Sequence, residues 1–282
     1  MDLKKRKHSE CAFNIKDESG VCMDDKIVDE LEKYATDVKN LVVKNGKDAI
    51  DGLQQVYNCS SVSCLLHQDG IRDAIGHDVA ENQLNSRFKP EGPFDSNEWF
   101  SNVNIDEVLK QIAIKYKEKK FLHIEFQMRD FESAGGELSR IDLAKEYSNN
   151  GIRCFGVVFN TDVSSGRGQH WFSIFGAFHT EPFTIEYFNS TGQDPLPEIL
   201  TWMKKTKHHM ENTLNKKVND VIVSRIQNQK DNHSCGSYSL YYIISRLEGI
   251  SHKHFTENKI GDETMHIFRR HHLFRQTKQT GA

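Results

Sequence analysis

The strongest constraint on the fold is a series of three apolar runs in the middle of the chain, at residues 152–159, 169–178 and 183–188. Each run is short and rich in aromatic or β-branched side chains, and a turn separates it from the next, at 166–168 and at 179–182. Runs of this length and composition are typical of β-strands. The chain is therefore expected to build its core around a sheet.

Helical patterns surround these predicted strands. The first predicted helix carries apolar residues on one face from Ile27 to Leu41, and another begins at Asn104, which is expected to be its N-cap. Helices are predicted at 26–44, 104–116, 139–147, about 195–214 and 235–248, with a weaker one at 48–55, and further strands at 121–128 and 218–227. This order of elements predicts an α+β fold with a mixed or antiparallel central sheet flanked by helices.

The chain is expected to have two domains. Its 282 residues are enough for one large domain with a smaller appendage. Residues 1–86 are predominantly helical with few apolar positions, and the segment 89–93 that follows contains two of the five prolines. Proline and glycine in such a segment are typical of a boundary. We therefore predict a helical N-terminal domain at 1–86 and a larger core domain at 87–282.

Composition excludes several classes of function. The net charge is −3 and the isoelectric point about 6.5, so no nucleic-acid partner is expected. No apolar stretch approaches the ~20 residues of a membrane span, and the basic N-terminal residues lack the apolar segment of a secretory signal. The six cysteines are therefore expected to be reduced thiols. Cys11, Cys22, Cys59 and Cys64 lack the close spacing of a zinc knuckle, so we expect no metal and no cofactor.

Cys235 is the first candidate for chemistry. It precedes an apolar helical pattern containing Leu240, Ile243 and Ile244, which places it at a helix N-terminus. Unpaired N–H groups there favour an anion and are expected to lower the pKa of the thiol. Gly236 leaves room for a substrate carbonyl beside the sulfur. A buried structural cysteine is the alternative interpretation.

Three further polar residues complete a candidate cysteine-hydrolase site. His170 opens a predicted strand, where it is suited to act as base and acid. Asn189 ends the neighbouring predicted strand, and its carbonyl is expected to accept the Nδ1–H of His170. Gln229 precedes Cys235 by six positions and is expected to donate to an oxyanion, with Gln227 as a rival. An ordinary turn at Asn189 and a polar loop at Gln229 are the alternatives.

The residues Gly168-Gln-His170-Trp171, Tyr187-Phe-Asn189-Ser-Thr-Gly and Gln229-Lys-Asp-Asn-His-Ser-Cys235-Gly, together with stretches such as Val103-Asn-Ile-Asp-Glu-Val-Leu, resemble the SUMO-protease and adenovirus-protease superfamily. The resemblance is greatest to the polyprotein-processing cysteine proteases of African swine fever virus and related large DNA viruses, and it covers most of the chain. It implies a core of that protease type with a central mixed sheet and a small helical N-terminal arm.

The same resemblance implies an endopeptidase that cleaves viral core polyproteins after Gly-Gly during virion maturation. Cys235 would be the nucleophile, His170 the base and acid, Asn189 its orienting group and Gln229 the oxyanion donor. Trp171 and Gln229 would contact the substrate, with Trp171 narrowing the channel to glycine. The expected location is the host cytoplasm, at viral factories, and the virion.

Two alternatives accompany this prediction. An isopeptidase that removes a ubiquitin-like protein such as SUMO from host conjugates would use the same fold, because both kinds of substrate present Gly-Gly. A catalytically inactive binding module of the same fold is the second alternative. Thiol-directed labelling of Cys235 that is lost in His170→Ala would argue against an inactive module and for an enzyme.

Overall fold

A computed structural model describes residues 9–16, 19–93, 97–223 and 225–275 of the chain. The described residues from 97 to 269 form one compact unit, and those before 94 together with 270–275 form a second. The contacts therefore divide the chain somewhat later than the boundary predicted at residue 86, and they group the C-terminal segment with the smaller unit. Within the described ranges, none of the helices combines the length and the hydrophobicity of a membrane span.

The smaller unit is helical, as predicted. Its helices are α1 (Asp25–Asp37), α2 (Gly46–Val56), α3 (Val62–Leu65), α4 (Asp69–Ile75) and α5 (His77–Arg87). They enclose a core of their own, which includes Leu31, Leu53 and Ile71. The predicted first helix was too long, because α1 ends before Val38, whose side chain is exposed.

Two disulfides cross-link the smaller unit, so the prediction of reduced thiols was wrong there. Cys11 pairs with Cys22 and Cys59 with Cys64, at Cα–Cα distances of 5.0 and 5.6 Å. These distances lie within the range that a disulfide spans. Cys154 and Cys235 remain free thiols, and both are buried.

The larger unit contains the central sheet and eight further helices among its described residues. The strands are β1 (Phe121–His123), β2 (Gln127–Met128), β3 (Cys154–Asn160), β4 (Trp171–Ala177), β5 (Phe183–Phe188) and β6 (Val218–Ile222). The helices are α6 (Asn102–Lys115), α7 (Phe131–Ala134), α8 (Glu137–Arg140), α9 (Leu143–Asn149), α10 (Pro197–Leu214), α11 (Cys235–Leu247), α12 (His252–Glu257) and α13 (Asp262–Phe268). A 3₁₀ turn at Lys117–Lys119 precedes β1. A π-helical turn at Arg269–Leu273 follows α13, and all of its residues after Arg269 belong to the smaller unit.

The sheet is mixed, in agreement with the predicted α+β class. Its order is β1-β3-β4-β5-β6, with β2 also pairing β3. The central pairs β3–β4 and β4–β5 are antiparallel, whereas the outer strands run parallel to their neighbours. Every residue of β3 and β4 is buried, because α11 packs against one face and the core beneath α9 and α10 covers the other. Double burial explains why these strands are continuous apolar runs without alternation.

The register of the sheet places the ends of two strands together. In the β4–β5 pair, Ser173 lies opposite Phe188, so the start of β4 and the end of β5 lie side by side at the same end of the two strands. His170 immediately precedes β4 and Asn189 immediately follows β5. Their proximity is thus a consequence of strand pairing.

Several predicted elements of the larger unit differ from the observed ones. The predicted helix at 139–147 is two short helices, α8 and α9, which are interrupted at Ile141 and Asp142. The N-cap of α6 is Ser101, and Asn104 is the third helical residue, where its side chain completes a capping box. The predicted strand 121–128 is two short strands, β1 and β2. The predicted strand 218–227 ends at Ile222, and Gln229 lies outside the strands of the sheet.

Candidate active site

His170 and Asn189 are hydrogen-bonded to each other where β4 begins and β5 ends. The Nε2 atom of His170 lies 2.8 Å from Oδ1 of Asn189. That oxygen also accepts from the backbone N–H and the hydroxyl of Thr191, at 3.1 and 2.9 Å. A backbone N–H can only donate, so these contacts fix Oδ1 as the acceptor end of the amide. The Nδ2 end donates to the Tyr187 hydroxyl at 3.0 Å.

The bonded ring nitrogen differs from the predicted one. We expected Nδ1–H of His170 to donate to Asn189, but Nε2–H is the donor. In the neutral ring, this bond assigns the proton to Nε2 and leaves the lone pair on Nδ1. Nδ1 is therefore the atom that is free to accept a proton.

Cys235 is the first residue of α11 and is almost fully buried. The backbone N–H groups of Trp171, Gly236 and Cys235 itself lie near its sulfur and favour the thiolate. Because Trp171 is the neighbour of His170 in sequence, this contact brings the start of β4 to the N-terminus of α11. The thiol and the imidazole-bearing segment are thus adjacent.

The pKa of the Cys235 thiol differs from the expected one. Burial raises the pKa of the Cys235 thiol, and the backbone N–H groups offset only part of that effect. The prediction of a lowered thiol pKa was wrong, because burial of the thiol disfavours the thiolate more than the helix N-terminus favours it. Burial also lowers the pKa of His170, against the hydrogen bond to Asn189. Both effects favour a neutral thiol beside a neutral imidazole at pH 7.

Trp171 forms part of the wall of this site. Its indole N–H donates to the backbone carbonyl of Phe100 at 3.0 Å, and its ring meets Phe126 edge-on at a centroid distance of 6.1 Å. The Phe100 ring lies against Gly236, where a Cβ atom would come within 2.6 Å of it. The close approach requires glycine beside the candidate nucleophile.

Gln229 is buried and held at both ends of its side-chain amide. Oε1 accepts from the Ser190 hydroxyl at 2.7 Å, and Nε2 donates to the carbonyl and to Oδ1 of Asp231, at 3.0 and 3.2 Å. The Gln229 backbone N–H also donates to the Ser190 carbonyl at 2.9 Å. The rival residue, Gln227, is exposed. The structure thus anchors Gln229, and not Gln227, to the segment that follows Asn189.

Sequence reasoning missed Asp231, which organises the loop before Cys235. Its carboxylate accepts from the backbone N–H groups of His233 and Ser234 and from the Ser234 hydroxyl. Burial opposes ionisation, but the hydrogen bonds from Ser234 and His233 hold the pKa of Asp231 at about 2. The spacing Asp-x-x-Ser immediately before a predicted helix was the available signal. Ser190 was also missed, since only the fold brings it to Gln229.

One group of side chains near the site has the composition of a metal site. The ligand atoms of Asp231, His233 and His266 lie within 4.8 Å of one another. Asp231 and His233 belong to the loop before Cys235, and His266 lies on α13. Cys235 and His170 do not belong to this group.

The fold and the site together define a class of protein. Cysteine proteases place a buried thiol at a helix N-terminus, next to a strand that carries an imidazole. A hydrogen bond to a side-chain amide orients this imidazole. No family model matches the chain. Similar proteins and structures do identify its relatives.

The chain is 34% identical over 282 residues to a cysteine protease of African swine fever virus from a Malawi tick isolate, covering 95% of each protein. It is 33% identical, with the same coverage, to a protein of a Kenyan pig isolate that is named as a SUMO-1 cysteine protease. The crystal structure of the African swine fever virus protease superposes with a TM-score of 0.82, at 30% identity, over 98% of this chain and 99% of that one. The chain belongs to this family of African swine fever virus cysteine proteases and is itself a cysteine protease.

Proposed function

We propose that this protease cleaves viral core polyproteins after Gly-Gly during virion maturation. Cys235 is the nucleophile, His170 the base and acid, and Asn189 the residue that orients the imidazole. The observation that carries these roles is the 2.8 Å bond between His170 Nε2 and Asn189 Oδ1, because it directs Nδ1 to be the proton acceptor. We further propose that the protein acts in the host cytoplasm, at viral factories, and in the virion.

The reaction begins with transfer of the Cys235 proton to His170 Nδ1 as the sulfur attacks the substrate carbonyl carbon. The carbonyl oxygen gains negative charge and accepts a hydrogen bond from the backbone N–H of Cys235. Collapse of this intermediate breaks the C–N bond, and His170 returns the proton to the leaving amine. Water activated by His170 then hydrolyses the thioester and regenerates the thiol.

Gln229 is the proposed second oxyanion donor. Its amide is buried and oriented by Ser190, which supports a fixed position beside the helix N-terminus. Its Nε2 donates to Asp231 in the substrate-free arrangement. Donation to the oxyanion therefore requires that at least one of these bonds to Asp231 lengthens when substrate binds.

The preference for glycine is a steric proposal. Trp171 is buried, tied to Phe100 by its indole N–H, and flanked by Phe126. A wall fixed at both sides does not move aside for a substrate side chain. Glycine is the only residue without a Cβ atom, so a narrow channel beside Trp171 selects it at both positions before the cleaved bond.

A peptide series tests this specificity. We expect cleavage of a Gly-Gly-X peptide and a loss of at least about 100-fold in kcat/KM when either glycine becomes alanine, which corresponds to about 2.7 kcal/mol. Cys235→Ala and His170→Ala should be inactive. His179→Ala is the matched control, because His179 is exposed beyond the opposite end of β4. Equal cleavage of Gly-Gly-X and Ala-Gly-X would contradict the steric argument.

A second candidate substrate is a ubiquitin-like protein. The name SUMO-1 cysteine protease, borne by the Kenyan relative, favours it. Parallel incubation with a viral polyprotein fragment containing Gly-Gly-X and with a SUMO conjugate separates the two. We expect faster cleavage of the polyprotein fragment, whereas a higher kcat/KM for the conjugate would favour the isopeptidase.

A further inference from the structure

Asp231, His233 and His266, here named the His–Asp cluster, have the spacing of metal ligands. Asp231 Oδ2 lies 3.4 Å from His233 Nε2 and 3.1 Å from His266 Nε2. In a tetrahedral zinc site with bonds of about 2.0–2.2 Å, neighbouring ligand atoms lie about 3.3–3.6 Å apart. The two separations are therefore close to those that a bound ion requires, and small side-chain rotations would complete the geometry.

The His233 ring provides a separate observation that points to a ligand. His233 is 8% exposed, and its Nε2 atom is buried and makes no hydrogen bond among the described residues. A buried polar atom in this state is unusual. The other ring nitrogen, Nδ1, lies 3.4 Å from the side-chain carbonyl oxygen of Asn232. This contact favours the proton on Nδ1 and leaves the Nε2 lone pair directed toward Asp231, as metal-binding histidines require.

The cluster is held in place by contacts that do not involve a metal. Asp262, the first residue of α13, accepts the backbone N–H groups of Lys230 and Asp231 at 3.0 and 3.1 Å. His266 follows one turn later on α13, and its ring stacks on that of His233 at a centroid distance of 5.4 Å. The His266 side chain is 48% exposed, which gives an ion access from solvent.

We propose that the His–Asp cluster binds one divalent transition-metal ion of the zinc class, with its fourth position open to solvent at His266. Asp231 also accepts hydrogen bonds from Gln229 and from Ser234. The ion therefore links α13 to the loop that carries Gln229 and leads into Cys235. This proposal does not depend on the substrate of the protease.

The test uses the full-length chain with Cys235→Ser, so that the active-site thiol cannot coordinate metal. Titration with Co²⁺ should give visible d–d absorption of a four-coordinate site that saturates at one equivalent, and Zn²⁺ should displace it. His266→Ala in the same background should weaken binding at least about tenfold, because it removes one of three protein ligands. His254→Ala removes another exposed helical histidine and should bind as the parent does.

A ligand replacement makes the result specific. His266→Cys should restore binding and add sulfur-to-cobalt charge-transfer absorption, whereas His266→Ala should not. Circular dichroism confirms that each variant is folded. Equal affinity in His266→Ala and His254→Ala, or absence of saturable Co²⁺ binding in the parent, would overturn the proposal.

Discussion

At the scale of single residues, the candidate site depends on amides whose orientation is fixed by hydrogen bonds on both sides. Asn189 is held by Thr191 and Tyr187, and Gln229 by Ser190 and Asp231. Orienting a buried amide in this way removes the alternative in which its oxygen and nitrogen are exchanged. Each supporting residue is therefore expected to influence catalysis only through the amide that it holds.

A double-mutant cycle tests this dependence for Gln229. We expect Gln229→Ala to reduce kcat by about 10²–10³, as removal of an oxyanion donor does, and Ser190→Ala to reduce it by less. In the Gln229→Ala background, Ser190→Ala should have no further effect on kcat. Gln227→Ala is the matched control and should retain parental kcat, since its side chain is exposed. Additive effects of the two substitutions would show that Ser190 acts independently of Gln229.

The pH dependence of the reaction tests the role of Asn189. Burial lowers the pKa of His170, and the hydrogen bond to Asn189 raises it. The acidic limb of kcat/KM should therefore have its midpoint below about 6.5, the usual pKa of histidine. Asn189→Ala should lower kcat and move that midpoint to lower pH, because it removes the effect that raises the pKa. The dependence of kcat and kcat/KM on pH measures the loss of rate and the shift of the midpoint. A midpoint that moves to higher pH would contradict the proposed role of Asn189.

At the scale of secondary-structure elements, a buried ion pair joins the strand that leads to Asn189 to the helix that begins at Cys235. Glu186 of β5 accepts from Arg246 of α11 at 2.7 and 2.9 Å and from the Tyr242 hydroxyl at 2.6 Å. Burial opposes ionisation of Glu186, but hydrogen bonds from His252 and Arg246 hold its pKa at about 2. This network sets the position of α11 against the sheet.

Glu186→Gln is expected to destabilise the larger unit by about 3–5 kcal/mol, because it leaves Arg246 buried without its counterion. Denaturant unfolding monitored by tryptophan fluorescence measures the change. Glu132→Gln is the control: Glu132 pairs with Lys205 at the surface, where such a pair contributes about 1 kcal/mol or less. Similar losses for both variants would show that burial of Glu186 has no energetic consequence.

The same carboxylate predicts how stability depends on pH. The pKa of Glu186 is lower in the folded state than its ordinary value of 4.5. Its contribution is therefore complete above about pH 4.5 and is lost as the pH falls toward 2. Glu186→Gln should be less sensitive to acid over that interval.

The central strands and α11 could be predicted from the sequence, because burial on both faces makes them continuous apolar runs of unambiguous length. The loop from 225 to 234 could not. Its conformation depends on Ser190 and Asp262, which are distant in sequence and meet it only in the folded unit. For the same reason the ring nitrogen that bonds Asn189 was predicted wrongly, since ring orientation follows from packing.

At the scale of the whole molecule, the two compact units have separate cores, and only the smaller one contains disulfides among the described residues. The predicted reduced state of the four N-terminal cysteines rested on length and on the absence of a recognisable signal. Neither observation reports which thiols the fold places together. The disulfides make the stability of the smaller unit dependent on the redox conditions.

Replacement of Cys11 and Cys22 by serine tests this dependence. In the chain-entropy model, a loop of this length contributes about 3 kcal/mol, so the smaller unit should unfold at lower denaturant concentration. All three tryptophans, Trp99, Trp171 and Trp202, lie in the larger unit. Tryptophan fluorescence should therefore report an unchanged transition, while part of the far-ultraviolet circular dichroism signal is lost earlier. If the fluorescence transition moved by the same amount, the two units would unfold as one, and their separate cores would not be separate cooperative units.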